Sequence, residues 1–335
     1  MKAVAYRQAL PITAADALLD ITLPEPVARG RELLVRVHAV SVNPADTKIR
    51  RNAAPPEGEA RVLGFDAAGV VEAVGEAVSL FKPGDRVFYA GALNQRGSNA
   101  ELHCVDERIV GHMPTTLGFA QAAALPLTSI TAWELLFDRF GVTAETEGAL
   151  LIVGAAGGVG SILTQLARQL TKLTVIGSAS RDSTQAWVRE LGAHHVIDHR
   201  QPLAAELKRI GIGAVTHVAS LTHTEAHYTQ MVEALAPQGK LCLIDDLTAP
   251  LDVRLLKSKS LSLHWEFMFT RSMFETPDMA EQGALLNRVA ELVDAGRLRS
   301  TLGENFGRIN AENLKRAHAA VESASTRGKT VLEGF

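Results

Sequence analysis

Hydrophobic and polar positions follow two different patterns along the chain, and the change falls near residue 125. Before that point, short alternating or apolar runs are separated by proline and glycine, which is typical of short strands in a small barrel-like domain. These runs are Ala3–Tyr6, Leu33–Val42, Ala67–Ala73, Arg86–Tyr89 and Ala100–Val105. The segment Arg50–Arg61, rich in alanine, proline and charge, is predicted to be a mobile loop.

After Pro114 the pattern becomes helical over Phe119–Leu127 and Ile130–Phe140, and from Ala149 strands and helices alternate. Strands are predicted at Ala149–Val153, Leu173–Gly177, His195–Ile197, Val215–Ala219, Lys240–Ile244 and Ser260–Phe269. Asp182, with Gln185 three residues later, predicts a capped helix start. The tail predicts helices at Met279–Ala295 and Ala311–Ser325 and a last strand at Lys329–Phe335. This succession indicates a doubly wound parallel sheet.

The turn between Val153 and Ser161 is the clearest candidate for ligand binding. It reads Gly154-Ala-Ala-Gly-Gly-Val-Gly160 between a buried strand and an amphipathic helix. That context is the one a dinucleotide fingerprint requires, with a pyrophosphate at the helix N-terminus. The predicted contacts are Ala155, Gly157, Gly158, Val159 and Gly160, with alanine in the first glycine position of G-x-G-x-x-G. A plain structural turn is the alternative interpretation.

Composition narrows the class of protein. The chain of 335 residues is 47% hydrophobic with a net charge of -3, so nothing basic enough for a nucleic-acid partner is present. No apolar run reaches the ~20 residues of a membrane helix, and the N-terminus resembles a strand more than a targeting peptide. Cys104 and Cys242 are predicted to be small buried residues, not a disulfide or a metal pair. A cytoplasmic protein is expected.

The second predicted strand indicates which dinucleotide is bound. An NAD site usually has Asp or Glu at its end for the ribose 2′-hydroxyl, whereas here Ser178, Ser180 and Arg181 are found. Hydroxyls and a guanidinium suit a 2′-phosphate, which arginine binds bidentately. Asp182 argues against this, but it is assigned to the helix cap. NADPH is therefore the predicted cofactor.

Six landmarks occur in a familiar order, and together they carry a resemblance that spans almost the whole chain. They are Val40-Ser-Val-Asn-Pro-Ala-Asp46, Gly64-Phe-Asp-Ala-Ala-Gly-Val-Val71, Lys82-Pro-Gly-Asp-Arg-Val87, Ala122-Ala-Ala-Leu-Pro-Leu127, the glycine turn, and Gly328-Lys-Thr-Val-Leu332. The set resembles the medium-chain dehydrogenase/reductase superfamily, in particular its zinc-free quinone oxidoreductase-like branch. The resemblance implies an α/β protein: a GroES-like β-barrel catalytic domain (1–125 and 300–335) and a doubly wound parallel-sheet Rossmann domain (126–299).

The chain departs from the zinc alcohol dehydrogenases of that superfamily at the metal positions. Asn43 stands at the first cysteine position, and Phe65-Asp66 replaces the His-Glu pair. Phenylalanine cannot ligate Zn²⁺, which takes thiolate, imidazole or carboxylate. Residues 88–100 also lack the cysteines of a structural zinc lobe. No metal site is predicted.

The same resemblance implies the remaining site residues. Catalytic roles are expected for Asn43, Asp46 and Lys48, although Asn43-Pro44 also favours a simple turn and Lys48 is equally compatible with a solvated surface. Cofactor contacts are implied for Asn43, Thr131, His199, Phe267, Phe269 and Lys329. Thr131 is equally compatible with a helix surface, and the two phenylalanines are equally compatible with core positions.

These expectations predict NADPH-dependent hydride transfer to a quinone or an α,β-unsaturated carbonyl compound, without a metal. A conjugated acceptor delocalises the incoming charge by itself, so the protein contributes orientation and electrostatics. Two alternatives stay open: a zinc-type alcohol dehydrogenase, and a non-catalytic NADPH-binding or redox-sensing protein. The particular substrate does not follow from the sequence. A homodimer or homotetramer is expected, because most relatives form one.

Overall fold

The computed structural model describes all residues from Met1 to Phe335 and contains sixteen strands and ten α-helices. The strands β1 to β16 are, in chain order, Lys2–Tyr6, Leu19–Thr22, Glu32–Val42, Arg61–Val62, Asp66–Val74, Arg86–Ala90, Leu102–Asp106, Val110–His112, Ala149–Val153, Thr174–Ser178, His195–Ile197, Val215–Ser220, Leu235–Leu243, Ser262–Trp265, Leu302–Asn305 and Lys329–Glu333. The helices α1 to α10 are Pro44–Asn52, Phe119–Ala123, Pro126–Trp133, Gly158–Leu170, Asp182–Glu190, Leu203–Arg209, Thr224–Ala234, Thr270–Phe274, Glu281–Asp294 and Ala311–Glu322. No helix is long and apolar enough to cross a membrane.

The chain divides into two compact units: residues 1–130 with 269–335, and residues 131–268. The sequence placed the second boundary at 299/300, so α8 and α9 lie in a different unit from the one expected. A close approach explains the position of α9: a Cβ on its Gly283 would lie 2.7 Å from the backbone oxygen of Arg108 and 2.8 Å from that of Val110. This packing is specified by three-dimensional proximity and leaves no local pattern in the sequence.

The first unit is built from two sheets. One has the order β2-β1-β4, and the other runs β15-β16-β3-β5-β6-β8, with β7 also paired to β3. Strand β3 is the longest member and holds β16 on one side and β5 on the other, both antiparallel. The buried valine and leucine side chains of β3 anchor the core, together with Leu314 of α10. The C-terminal strand therefore returns to the first unit, as the resemblance implies.

The second unit contains one six-stranded parallel sheet with the order β11-β10-β9-β12-β13-β14. The order reverses between β9 and β12, which makes the carboxyl ends of these two strands the switch point where such sheets bind ligands. Every residue of β9 is buried, as expected for a strand covered on both faces. The predicted doubly wound sheet is confirmed.

Several local predictions differ from the structure. Helix α5 begins at Asp182 with Arg181 at the N-cap position, so the prediction that Asp182 caps this helix is wrong. The Thr184 hydroxyl takes the capping role: it accepts from the Arg181 backbone N–H (3.3 Å) and donates to the Arg181 carbonyl (2.8 Å). The run Ile130–Phe140 is helical but passes into a π-helical turn at Glu134–Arg139. The predicted strand Ser260–Phe269 is limited to Ser262–Trp265, and Cys104 is only partly buried, unlike Cys242.

Candidate active site

The glycine turn of the second unit joins β9 to α4 at the switch point. Gly154 adopts φ +87°, a conformation that side chains with a Cβ rarely tolerate. Gly160 has an ordinary φ but no room, because a Cβ there would lie 2.5 Å from both Ala155 Cα and the Gly154 carbonyl oxygen. One glycine thus supplies the turn conformation, and the other allows helix and strand to approach closely.

This geometry explains the alanine in the first fingerprint position. Ala155 has no positive φ, so that position does not need the freedom of glycine. The left-handed conformation belongs to Gly154, one residue earlier. Ala155 is fully buried, and its backbone N–H donates to the Ser178 carbonyl at 3.3 Å. The apparent mismatch is therefore compatible with a dinucleotide turn.

The turn fits a pyrophosphate. Helix α4 begins at Gly158 with Gly157 at its N-cap, and the first backbone N–H groups of a helix have no partner within it. Those groups and the helix dipole favour an anion at this end. Residues 156–159 are partly exposed, so the turn is accessible.

The end of β10 carries the predicted 2′-phosphate contacts, but they differ in accessibility. Ser178 is almost fully buried, and its Oγ accepts from the Gly154 N–H at 3.1 Å. Its hydroxyl therefore stabilises the glycine turn. Ser180 is half-buried, and Arg181 is exposed at the start of α5. Of the three, Ser180 and Arg181 are the more solvent-accessible residues.

His199 follows β11, the neighbour of β10 in the sheet. It is half-buried, and its ring lies 6.0 Å from that of His227 at 65°. Burial lowers the pKa of His199, and the adjacent His227 lowers it further. The imidazole is therefore mainly neutral at pH 7, which suits a hydrogen-bonding contact better than a permanent cation.

In the first unit, the register of three strands gathers a buried polar cluster. Thr330 of β16 faces Val42 of β3, and Ser41 of β3 faces Asp66 of β5. Lys329, Asn43 and Asp66 are consequently brought to the same end of the sheet. Their side chains are nearly inaccessible to solvent, with exposures of 3%, 1% and 0%.

Asp66 is the centre of this cluster. Its Oδ2 accepts from the Ser41 hydroxyl (2.8 Å), the Asn43 side-chain amide (2.8 Å) and the Lys329 ammonium (2.9 Å). Its Oδ1 accepts from the Leu127 backbone N–H at 2.7 Å, in the first turn of α3. Four donors, one of them cationic, satisfy the carboxylate although it is completely buried. In the sequence, the only signal for Asp66 is its place in the landmark motif Gly64–Val71, within the Phe65-Asp66 pair.

Asn43 and Asp46 form the start of helix α1. The Asn43 backbone N–H donates to Asp46 Oδ2 at 2.8 Å, and the Gly64 N–H donates to Asp46 Oδ1 at 2.9 Å. The predicted turn at Asn43-Pro44 is therefore a helix N-terminus with Pro44 in its first position. Burial raises the pKa of Asp46 to about 7, despite the two backbone donors and the nearby Lys329 ammonium.

The remaining predicted residues lie in varied surroundings. Lys48 is half-buried on α1 and Thr131 is buried on α3. Phe269 is buried, with its ring edge-on to Phe65 at 4.9 Å. Phe267 is 46% exposed just beyond β14. Neither unit alone assembles all the predicted positions, since Phe267 belongs to the second unit and Phe269 to the first.

The donor set of the polar cluster does not fit zinc. No group of three histidine, cysteine, aspartate or glutamate side chains is arranged to hold a metal ion. Zinc sites use such side chains as ligands, whereas here a carboxylate, a carboxamide and a backbone carbonyl surround an ammonium group. These three oxygen groups therefore do not form a zinc site.

Comparison with known proteins gives a consistent set of matches. Residues 29–133 match the family model described as alcohol dehydrogenase GroES-like domain, and residues 191–332 match the zinc-binding dehydrogenase model. A zinc-type alcohol dehydrogenase-like protein of Staphylococcus epidermidis is 39% identical over 336 residues, covering 99% of both chains. A quinone oxidoreductase of Pseudomonas aeruginosa is 31% identical, covering 92% of this chain and 93% of its own. A solved structure from Rhizobium etli, named after the zinc-dependent alcohol dehydrogenases, is 57% identical with a TM-score of 0.95, covering 100% and 98% of the two chains.

Proposed function

Because the chain belongs to the medium-chain dehydrogenase/reductase superfamily and is an oxidoreductase of that family, we propose that it is an NADPH-dependent reductase of quinones or α,β-unsaturated carbonyl compounds. The observation that carries the proposal is the buried cluster of Asn43, Asp66 and Lys329. By the sequence resemblance, Asn43 and Asp66 stand at positions where zinc alcohol dehydrogenases have metal ligands, and the donor set of the cluster does not fit zinc. Cytoplasmic location and the absence of a nucleic-acid partner are part of the same proposal.

The glycine turn and the end of β10 support NADPH as the cofactor. The turn offers unpaired helix amides to a pyrophosphate. Ser180 and Arg181 stand at the strand end where an NAD site usually has an acidic residue. A guanidinium binds phosphate bidentately, and Arg181 is exposed at this point. When bound, the dihydronicotinamide supplies a hydride, and its uptake together with one proton reduces the acceptor.

The polar cluster supports a conjugated acceptor. Reduction of a simple ketone develops charge on one oxygen, which a metal or a strong donor has to stabilise. The three N–H bonds of the Lys329 ammonium already point at three oxygens. Quinones and enones delocalise the added charge over their own π-system. The contribution of the chain is then to position the two reactants.

An NADPH-oxidation screen over quinones, enones and simple aldehydes tests the reaction class. Turnover of quinones or enones is expected, with aldehydes reduced slowly or not at all. Preferential reduction of simple aldehydes would contradict the proposal. NADPH binding without turnover of any compound would favour the alternative of a non-catalytic NADPH-binding or redox-sensing protein.

The cofactor assignment is tested with Arg181→Ala. The variant is expected to raise the Michaelis constant for NADPH by tenfold or more, on the order of one charge-assisted hydrogen bond, and to leave that for NADH unchanged. Arg189→Ala is the matched control, because Arg189 lies on the same helix, is exposed and donates to Gln185 (3.2 Å). Equal effects of Arg181→Ala on both cofactors would refute the assignment.

The names of several relatives favour a second candidate, a zinc-type alcohol dehydrogenase. Metal analysis of purified protein distinguishes it directly. Stoichiometric zinc, together with loss of alcohol oxidation on chelation, would establish this alternative. We expect neither, since Asn43 and Phe65 replace the required ligands.

A homodimer or homotetramer is also proposed. Strand β14 ends the parallel sheet, and an unpaired edge strand invites addition of another strand. Trp265, the last residue of β14, is 51% exposed, and Phe267 just beyond the strand is 46% exposed. Val253 and Leu255 are exposed in the preceding segment. Light scattering of Trp265→Ser is expected to show a smaller species than the unaltered protein.

A further inference from the structure

Lys329 stands out among the charged residues because its ammonium group lies in a preformed set of oxygen atoms. The register of β16, β3 and β5 brings together residues that are distant in the chain, since 263 positions separate Lys329 from Asp66. The surrounding groups are a backbone carbonyl, a side-chain carboxamide and a carboxylate. All of them belong to the first unit.

The contacts match the three N–H bonds of an ammonium group. Nζ donates to the Val42 carbonyl oxygen at 3.3 Å, to Asp66 Oδ2 at 2.9 Å and to Asn43 Oδ1. Asn43 is also held at its other end, because its Nδ2 donates to Asp66 Oδ2 at 2.8 Å and to the Ser41 carbonyl at 3.5 Å. The lysine therefore fixes which way the carboxamide points.

Charge balance within the cluster explains why an ammonium is retained there. A buried charge is tolerated only if it is paired and hydrogen-bonded, and Asp66 is fully buried. One carboxylate with two neutral oxygens matches a single positive charge. The three oxygen atoms of the cluster together carry one negative charge. They do not suit Zn²⁺, which prefers nitrogen and sulfur ligands, or Ca²⁺, which takes six to eight oxygens.

We propose that Val42 O, Asn43 Oδ1 and Asp66 Oδ2 form a monovalent-cation site that the Lys329 ammonium fills from within the chain. The site binds a primary alkylammonium group, which is the group that the lysine side chain carries. By the sequence resemblance, Asn43 and Asp66 of this site stand at positions where the zinc alcohol dehydrogenases have metal ligands. The proposal concerns the cage itself and does not depend on the substrate or cofactor.

Lys329→Ala tests the cage by chemical rescue, because n-propylammonium contains the atoms that the substitution removes. We expect a lowered thermal midpoint for the variant and a saturable recovery of at least half of the loss with n-propylammonium chloride. Tetramethylammonium chloride at equal ionic strength should give no recovery, since it has no N–H to donate. The controls are the unaltered protein and Lys315→Ala, whose lysine is half-buried on α10 and donates to the Ala15 carbonyl at 2.9 Å; neither should respond.

Two results would overturn the proposal: no recovery with n-propylammonium, or equal recovery with tetramethylammonium. If Lys329→Ala does not fold, Lys329→Met and Asp66→Asn give an independent test. The double variant should be more stable than Lys329→Met alone, because removing the carboxylate charge relieves the uncompensated anion. Additive losses would contradict a cation cage. Neither measurement involves NADPH, so failure here is distinguishable from failure of the proposed reaction.

Discussion

Substituting Gly160 by alanine tests the glycine turn at its tightest point. The added Cβ would lie 2.5 Å from Ala155 Cα, 2.5 Å from the Gly154 carbonyl oxygen and 2.7 Å from the Ala155 carbonyl carbon. All three atoms belong to the backbone, so no side chain can rotate away. Helix α4 or the turn must move instead.

The size of the effect follows from two opposing terms. Overpacking costs about 1–3 kcal/mol, while alanine in place of glycine in a helix gains up to about 1 kcal/mol. A net loss of about 1–2 kcal/mol lowers the thermal midpoint by roughly 2–8 °C for a unit of this size. Displacement of the helix amides should also weaken NADPH binding by tenfold or more, since a hydrogen bond to a charged group contributes about 1.5–3 kcal/mol.

Thermal unfolding and NADPH titration by fluorescence measure the two effects, and two glycines of the same unit serve as controls. A Cβ on Gly157 would meet only the Gly154 carbonyl oxygen at 3.6 Å, an ordinary contact, and Gly213 has nothing within 4 Å. Gly157→Ala should keep the thermal midpoint of the unaltered protein. A change in its NADPH affinity would then show how closely a phosphate approaches the backbone at this position. Gly213→Ala should change neither quantity. An unchanged midpoint and affinity for Gly160→Ala would refute the assigned role of this turn.

Two further predictions concern pH. His318 is fully buried without a hydrogen-bond partner, and burial together with the nearby Arg50 lowers its pKa to about 3. Below about pH 6.5 the imidazole therefore takes up a proton in the unfolded state but not in the folded state. The free energy of unfolding should fall by about 2 kcal/mol between pH 7.5 and pH 5 for this reason. Urea unfolding at several pH values should show a smaller loss of stability towards pH 5 for His318→Leu than for the unaltered protein. The same pH dependence in both proteins would contradict the assignment. Burial and the neighbouring Glu134 raise the pKa of Glu266 to about 9 against the opposing effect of the Arg139 guanidinium at 2.9 Å, so the folded state loses stability as pH rises above the ordinary carboxyl range. Glu266→Gln should flatten that decline, and an unchanged decline would exclude Glu266 as its source.

Much of the fold could be predicted because its signals are local. The fully apolar run Ala149–Val153 and the glycines that follow it specify a buried strand, a turn and a helix without reference to the rest of the chain. The strand at His195–Ile197 was predicted with its observed bounds. The N-cap of α5 is Arg181, one residue before the predicted Asp182. Asp182, Ser183 and Thr184 all carry groups that cap helices, and position alone does not decide among them.

The candidate site could be predicted only in part, since its polar contacts join distant segments. Lys329 was expected to contact the cofactor, yet its ammonium is directed at Asn43 and Asp66 across the sheet. Ser178 was expected to contact a phosphate, yet its hydroxyl accepts from Gly154. The sequence predicts neither of these partners within the protein, because strand register is a property of pairing and no single segment specifies it. The cofactor contacts of both residues stay predictions.

The buried cluster also bears on the choice between the two oxidoreductase types named among the relatives. Each N–H of the Lys329 ammonium and of the Asn43 carboxamide is directed at an oxygen within the protein. A donor already used in this way has to break a buried bond before it can stabilise an alkoxide, at about 1–3 kcal/mol for each group left unpaired. An acceptor that develops its charge on a conjugated system avoids that cost. These contacts therefore favour the proposed quinone or enone over a simple alcohol or aldehyde as substrate, and the substrate screen tests this preference.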